Sequence, residues 1–521
     1  MDNTVLFVTA FKDLNRETWN GFERSVTNYV DWFKHLSMIP IRLICFCEKD
    51  VEEILHTKFN FYNTYPYEQE NTFFIHLERE KQVMETESFK DLVRHRHDPE
   101  TNKPGYNLVQ HNKFWFVNRA KKMFPHYSHY SWIDFGCIRG AEHIPAQFNF
   151  ESLGNRIVYS TLHHLDPCTI LSPVDACKNF NNPSLDGSQF FCPSELVEWF
   201  YNEYYNMVMW YYDNTLVDDD QEIVKQVVKA HPDRFELIPT GGSFRLLNRY
   251  SVPLHIDVVI PTCLKDLNTL YTTLNGVRKN IANLRNIYVV CNPIFKDHIK
   301  DVIFIDETIF PFSMKDIAEI IFGDREYPGN QGRSTGWWYQ QLLKLYASQV
   351  IKGISSNVLV VDSETIFYNT YIPIKNHIAF YAVSNEINQD YRKHMQLLIP
   401  DIKIRSDELS GICHQMLFQK HVLQNLFDRS TANDMPFWKK MLCLSREHNR
   451  LSYSEYDMYF NFAMTFHKNT VRITNIIRWN NSGSIPDISD YTYLTAHSHL
   501  RGSHDILPDE NFVDVSRIVL K

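Results

Sequence analysis

The chain has 521 residues, 44% hydrophobic and 22% charged, the proportions of a soluble globular protein too long for one ordinary core. Its formal net charge of -9 argues against a dedicated nucleic-acid binder, whose footprint would be basic. Ten cysteines at irregular intervals, with no C-x-x-C pair, argue against a zinc or disulfide framework and for reduced thiols.

The N-terminal "MDNTVLFVTAFKD" has an acid where a signal peptide would be basic, and only a short apolar run, so it is read as a first strand. No stretch approaches the roughly 18 uninterrupted apolar residues of a membrane span, so a cytoplasmic protein is expected, with peripheral association at a cytoplasmic membrane face left open. Further strands are predicted at 41–47, 72–77, 130–136 and 156–161. The helix "LVQHNKFWFVNRAKKMF" precedes the acid-tipped "WIDFG", with Phe114, Val117, Ala120 and Phe124 on one face. Gly, Ser and Pro accumulate in "PTGGSFRLLNRYSVPLH" at 239–255, which marks a boundary. After it the pattern restarts, with strands expected at 257–262, 287–292, 302–307, 358–364 and 378–383 and a helix "GWWYQQLLKLYASQVI" packing through Trp338, Leu342 and Leu345. "VLFVTAFKDLN" and "DVVIPTCLKDLN" open the two halves with Thr9 and Thr262 in matching places. The expectation is therefore two tandem α/β domains of one design, at 1–245 and 250–521. Aromatics make up 14% of the chain, mostly as core filling, with some available as platforms for flat ligands.

"VLVVDSE" raises a chemical question, because a strand apolar on both faces ends in Asp362 and Glu364. Carboxylates are costly to bury unpaired, and two acids separated by one small residue can share a hard divalent cation such as Mg2+ or Mn2+. In an open α/β sheet that place is the ligand crevice. Such an ion would neutralise charge on a departing nucleoside diphosphate, which points to transfer from an activated donor. The bland alternative is a capped turn with a solvated Glu364. With no cation present, two such acids would repel, so Asp362→Asn is expected to leave the melting temperature unchanged or slightly raised.

An acid motif at the end of a buried strand, following a "VVIPT"-type first strand, resembles the GT-A fold of nucleotide-sugar glycosyltransferases. The second half, with "GWWYQQLLKL", "VLVVDSE", "SGICHQMLF" and "YSEYDMYFNF", is similar to a GT-A-like family known mainly as a domain of unknown function. The first half, with "FVTAFKDLNR", "YNLVQHNKFWFVNRA", "WIDFG" and "LVDDDQ", resembles the WlaTC/HtrL family of glycosyltransferases. The resemblance implies a GT-A-like, Rossmann-like nucleotide-sugar-binding architecture in each half, with a nucleoside-diphosphate sugar as donor substrate. It makes Asp362 and Glu364 the metal and diphosphate site, with Mn2+ or Mg2+; His497 and His499 could contact metal or diphosphate, or be incidental surface histidines. In the first half it implies Asp134 alone, because Gly136 replaces the second acid; Asp218, Asp219 and Asp220 could supplement it or form a solvated turn. Thr9 and Thr262, read as just past the first strands, are placed to meet base or ribose, or are turn residues with no ligand. Glu455 and Asp457 stand where an inverting transferase keeps its acceptor base, or on a helix surface. Arg333 lies in the Gly-rich "PGNQGRSTGWW", which lacks the P-loop pattern and reads as a loop opening a helix, one that could lie over the donor.

The leading expectation is a tandem glycosyltransferase acting on a carbohydrate or glycoconjugate hydroxyl, metal-dependent at least in the second half. One alternative keeps the first half as a degenerate carbohydrate-binding scaffold. Another is metal-dependent phosphoryl transfer, which uses similar acids around two metals.

Overall fold

The computed structural model describes residues 4–93, 97–140, 147–178, 185–241, 245–263, 266–323, 335–430, 435–448, 450–473, 479–481 and 491–495. The chain forms two compact units that divide between Val252 and Pro253.

The first unit is built on a seven-stranded sheet: β1 (Val5–Phe11), β2 (Arg42–Cys47), β3 (Thr64–Tyr65), β4 (His129–Ile133), β5 (Ile157–Thr161), β6 (Leu185–Pro193) and β7 (Phe235–Pro239), in the order β3-β2-β1-β4-β6-β5-β7. All neighbours are parallel except those of β6, which runs against β4 and β5. β2 and β4 are buried at every position, as sheets covered on both faces require. The helix Pro104–Met123 covers one face through Phe114, Val117 and Ala120, all buried.

The second unit carries a five-stranded sheet of β8 (Ile256–Pro261), β9 (Leu284–Cys291), β10 (Ile303–Asp306), β11 (Asn357–Val361) and β15 (Gln415–Gln419), in the order β10-β9-β8-β11-β15. β15 is antiparallel to β11 and the rest are parallel. Two small sheets complete it. β12 (Thr365–Phe367), β18 (Tyr493–Thr495) and β17 (Trp479–Asn481) form one; β13 (Ile374–Lys375), β14 (Ile378–Tyr381) and β16 (Val471–Ile473) form the other.

The fold class is thus α/β, Rossmann-like in both units, and one design recurs: β3-β2-β1-β4-β6 matches β10-β9-β8-β11-β15 in order and direction. Strand order reverses between β1 and β4 and between β8 and β11, so each sheet has one crevice at its carboxyl edge.

Two differences from the sequence reading have local causes. Residues 72–77 are not a strand: Phe73–His76 is a 3-10 turn running into the helix Leu77–Glu85. The Phe73 N–H donates to Asn112 Oδ1 at 3.0 Å, and Ile75 is exposed, so the apolar run follows neither strand pairing nor strand alternation. The first unit also extends past residue 245. Leu246, Leu247 and Tyr250 are buried in its core, and Val252 N–H donates to Gln147 O.

Candidate functional site

Asp134 follows β4 directly, and Asp362 follows β11 directly. Each is pinned by its backbone to the antiparallel neighbour, Asp134 N–H donating to Ser188 O at 2.9 Å and Asp362 N–H to His414 O at 3.0 Å. The two aspartates therefore hold equivalent places at the switch point of their sheets.

Each meets a buried lysine from the helix that precedes its strand. Lys113 Nζ lies 3.4 Å from Asp134 Oδ1, 3.0 Å from Asp220 Oδ2 and 2.9 Å from Gly187 O. Lys344 Nζ donates to Asp362 Oδ1 and, at 2.6 Å, to Glu455 Oε1. Asp220 and Glu455 are each the first residue of a late helix, Asp220–Ala230 and Glu455–Phe466, behind the N-caps Asp219 and Ser454. A helix N-terminus favours a carboxylate there, and the caps fix where the chain turns in. Both halves thus hold one constellation, a strand-end aspartate and a helix-start acid joined through a buried ammonium.

Burial pushes the Asp220 carboxyl up to about 7, against the pull of Lys113 and helped by the negative charge of Asp219 and Asp134. Burial also raises Asp134, against the pull of Lys113. At Asp362 burial is outweighed by Lys344 and His414, which hold its carboxyl well below the usual carboxylate range. His414 Nδ1 stands 2.9 Å from Asp362 Oδ2, and the Tyr456 hydroxyl donates to Oδ1 at 3.2 Å. Glu455 is raised by burial despite Lys344. Each lysine stays charged, its acids overcoming the cost of desolvation.

In the first half this constellation forms part of the wall of a cleft of about 540 Å³, within the range of small-molecule sites. Tyr29, Trp32, Tyr106 and Trp132 supply flat faces, and Lys12, Arg16, Arg24 and Arg139 supply positive charge. Trp132 Nε1 donates to Asp134 Oδ1 at 2.7 Å, which orients that carboxylate.

The other sequence-derived residues fall as follows. Thr9 is fully buried within β1 and is not among the residues of the cleft wall; its hydroxyl and that of Thr262, just past β8, are buried without a hydrogen-bond partner. Asp218–Asp220 do not form a solvated turn, since Asp219 caps the helix and Asp220 is buried. Glu364 is half-buried in the turn before β12. Glu455 joins Asp362 through Lys344, whereas Asp457 accepts from Gly411 N–H and the Asn461 amide and is built into the fold. Neither Glu455 nor Asp457 lies on a helix surface; both are buried. Arg333, His497 and His499 lie outside the described residues. Lys113, Lys344, His414 and Tyr456 escaped the sequence reading. Their signal is faint: a single Lys amid the apolar faces of "HNKFWF" and "LLKLYA".

Among the described residues, no group of three or more His, Cys, Asp or Glu side chains is arranged to hold a metal ion. The second half nevertheless fits one in its chemistry, because Asp362 stays ionised and Glu364 follows two residues on. The first half does not. Position 136 has no room for a second acid: a Cβ on Gly136 would lie 2.8 Å from Trp32 Cε3.

The electrostatics also correct one expectation. Asp362 is counterbalanced by Lys344 and His414 rather than left repelling a second acid, so Asp362→Asn should destabilise the fold.

None of the ten cysteines is in a disulfide, and among the described residues no helix is long and apolar enough to cross a membrane. Residues 3–250 match the profile of a family described as "Bacterial protein of unknown function (HtrL_YibB)", and residues 254–493 that of a "Family of unknown function (DUF6492)". No curated protein matches the chain in sequence. Among solved structures the chain is similar to mouse xyloside xylosyltransferase 1 (11% identity, TM-score 0.29, 48% of this chain and 99% of that one). It is also similar to the WbbM bifunctional glycosyltransferase (8% identity, TM-score 0.31, 99% and 97%) and to the galactosyltransferase LgtC (11% identity, TM-score 0.30, 50% and 95%). Scores this low carry no argument about the site. By sequence, the chain is similar to two families placed in tandem, the first across one unit and the second across the other.

Proposed function

We propose that the chain is a tandem glycosyltransferase, in which each half binds a nucleoside-diphosphate sugar and at least the second passes the sugar to a hydroxyl of a carbohydrate or glycoconjugate. The observation that carries this reading is the recurrence of one constellation, Lys113 with Asp134 and Asp220 and Lys344 with Asp362 and Glu455, at the switch-point crevice of two like sheets. The sequence resemblance of both halves to GT-A-like families supports it. Because the first half keeps all three members, its reading as a degenerate scaffold is not favoured.

In this reading the lysine locks the strand-end aspartate into one rotamer, with its charge set, ready to accept hydrogen bonds from sugar hydroxyls. Glu455 acts on Lys344 as a positioning residue, since its burial and pairing leave it poorly placed to take a proton from an acceptor. Asp362 and Glu364 would hold Mn2+ or Mg2+ in the second half, with His497 as a further candidate ligand. When bound, that ion neutralises charge on the departing diphosphate.

The test is a panel of nucleotide sugars added to the full-length chain with Mn2+ and with chelator, reading melting temperature and slow donor hydrolysis. One donor class should raise the melting temperature and be hydrolysed, and Asp362→Asn should remove the Mn2+-dependent part. No shift and no hydrolysis with any nucleotide sugar would overturn the reading.

A further inference from the structure

The space beside Asp134 that a second acid would need is filled by two aromatic rings. A Cβ on Gly136 would stand 2.8 Å from Trp32 Cε3 and 3.2 Å from Tyr29 Cδ1, both well inside ordinary contact. These rings pack edge to face, 5.4 Å apart, on the helix Val26–Leu36. Each of them carries an arginine into the same cleft. Arg16 Nη1 donates to the Tyr29 hydroxyl at 2.8 Å, and the Arg139 guanidinium lies 4.8 Å from the Trp32 ring centre. Arg16 Nε is buried without a hydrogen-bond partner, a donor the fold itself leaves unmet. Where the second half has Glu364, the first has Gly136 backed by Tyr29 and Trp32, each of which holds a guanidinium group.

Resting on the nucleotide-sugar reading above, we infer that the first half binds the diphosphate of its ligand without a divalent ion, through Arg16 and Arg139 held on Tyr29 and Trp32. The charges differ in kind. A carboxylate pair repels a diphosphate unless a cation bridges the two, whereas a guanidinium meets phosphate oxygens directly and in a fork of two hydrogen bonds. The hydrogen bond from Arg16 to Tyr29 and the stacking of Arg139 on Trp32 each pre-order a guanidinium, which lowers the entropy lost when it is ordered on its ligand. Lys113 stays out of this contact, because its ammonium is committed to Asp220, Gly187 and Asp134.

The experiment is calorimetric titration of the full-length chain with inorganic pyrophosphate and with uridine diphosphate, each in excess chelator. About one site per chain is expected without metal, and a double Arg16→Gln, Arg139→Gln variant should weaken it about tenfold or more, the scale of losing hydrogen bonds to a charged group. Arg16→Lys with Arg139→Lys should recover part of that loss, and the melting temperature of each variant separates lost binding from lost folding. If pyrophosphate binds without metal and depends on both arginines while no nucleotide sugar is hydrolysed, the inference stands and the transferase reading falls. Binding that appears only with Mn2+, binding indifferent to both arginines in folded variants, or no binding of either probe would overturn the inference.

Discussion

At the end of β4 the chain reads Asp134, Phe135, Gly136; at the end of β11 it reads Asp362, Ser363, Glu364. The strands occupy equivalent places, the aspartates are pinned to equivalent neighbours, and each faces a buried lysine. The difference lies two residues further on, where the second half has an acid and the first a glycine. The glycine admits Tyr29 and Trp32 and the arginines they hold. A duplicated fold can thus keep its charge-positioning core and exchange what stands in front of it.

The largest expected effect tests whether the halves are separable. A fragment ending at 245 loses Leu246, Leu247 and Tyr250 from the first core, about 4 kcal/mol or more at usual values for buried apolar side chains. A fragment ending at 252 keeps them. Denaturant unfolding of the two should show a clearly lower midpoint for the shorter one, and equal midpoints would place the boundary earlier than the contacts do.

Next come the lysines. Lys344→Met leaves Asp362 and Glu455 buried with their shared cation gone and should cost about 3–5 kcal/mol. Lys113→Met should cost less near neutral pH, since Asp220 already titrates at about 7 and can take up a proton. Unfolding of the two variants at pH 7 measures the gap. Equal losses would mean that the two ammonium sites are energetically alike, which would break the comparison.

A smaller effect concerns Gly187. A Cβ there would stand 2.4 Å from Asp220 Oδ2, an atom that Lys113 holds in place, so Gly187→Ala should cost about 1–3 kcal/mol through overpacking. If stability is unchanged, Asp220 has room to move and the first-half constellation is looser than drawn.

The smallest is the pH dependence, and its sign differs between the halves. Asp220 rises in the fold from 3.8 to about 7, so between those values the folded chain keeps a proton that the unfolded chain has lost, and stability falls as pH rises through that window. Asp220→Asn should flatten this slope in part, since Glu80 and Glu100 are also raised to about 7. Asp362 is depressed instead, so its contribution is present above the ordinary carboxylate range and is lost on acidification; Asp362→Asn should remove that acid-side loss. Melting temperatures from about pH 2 to 8 for both variants check the two signs, and parallel curves would count against the charge difference.

Periodicity was enough for the α/β class and most strands of the two large sheets, because a strand buried on both faces is written as an uninterrupted apolar run. The acid-tipped strand ends were equally legible, since charge at the close of such a run is rare. Residues 72–77 failed for the same reason in reverse: an apolar run says that side chains are wanted inside, not how the backbone is paired, and Asn112 settled the pairing from another helix. β6, which pins Asp134 through Ser188, and β15, which follows the His414 that pins Asp362, were also missed.

What no local pattern holds is the meeting of distant charges. Lys113 and Asp220 are 107 positions apart, and Lys344 and Glu455 are 111 apart. Each looks unremarkable alone, and only folding takes them out of water together, where a lone charge is costly and a pair is tolerated. The sequence by itself determined where carboxylates stand at the sheet edges. The tertiary structure decided which cations answer them, because burial makes each charge depend on partners that chain order does not bring near.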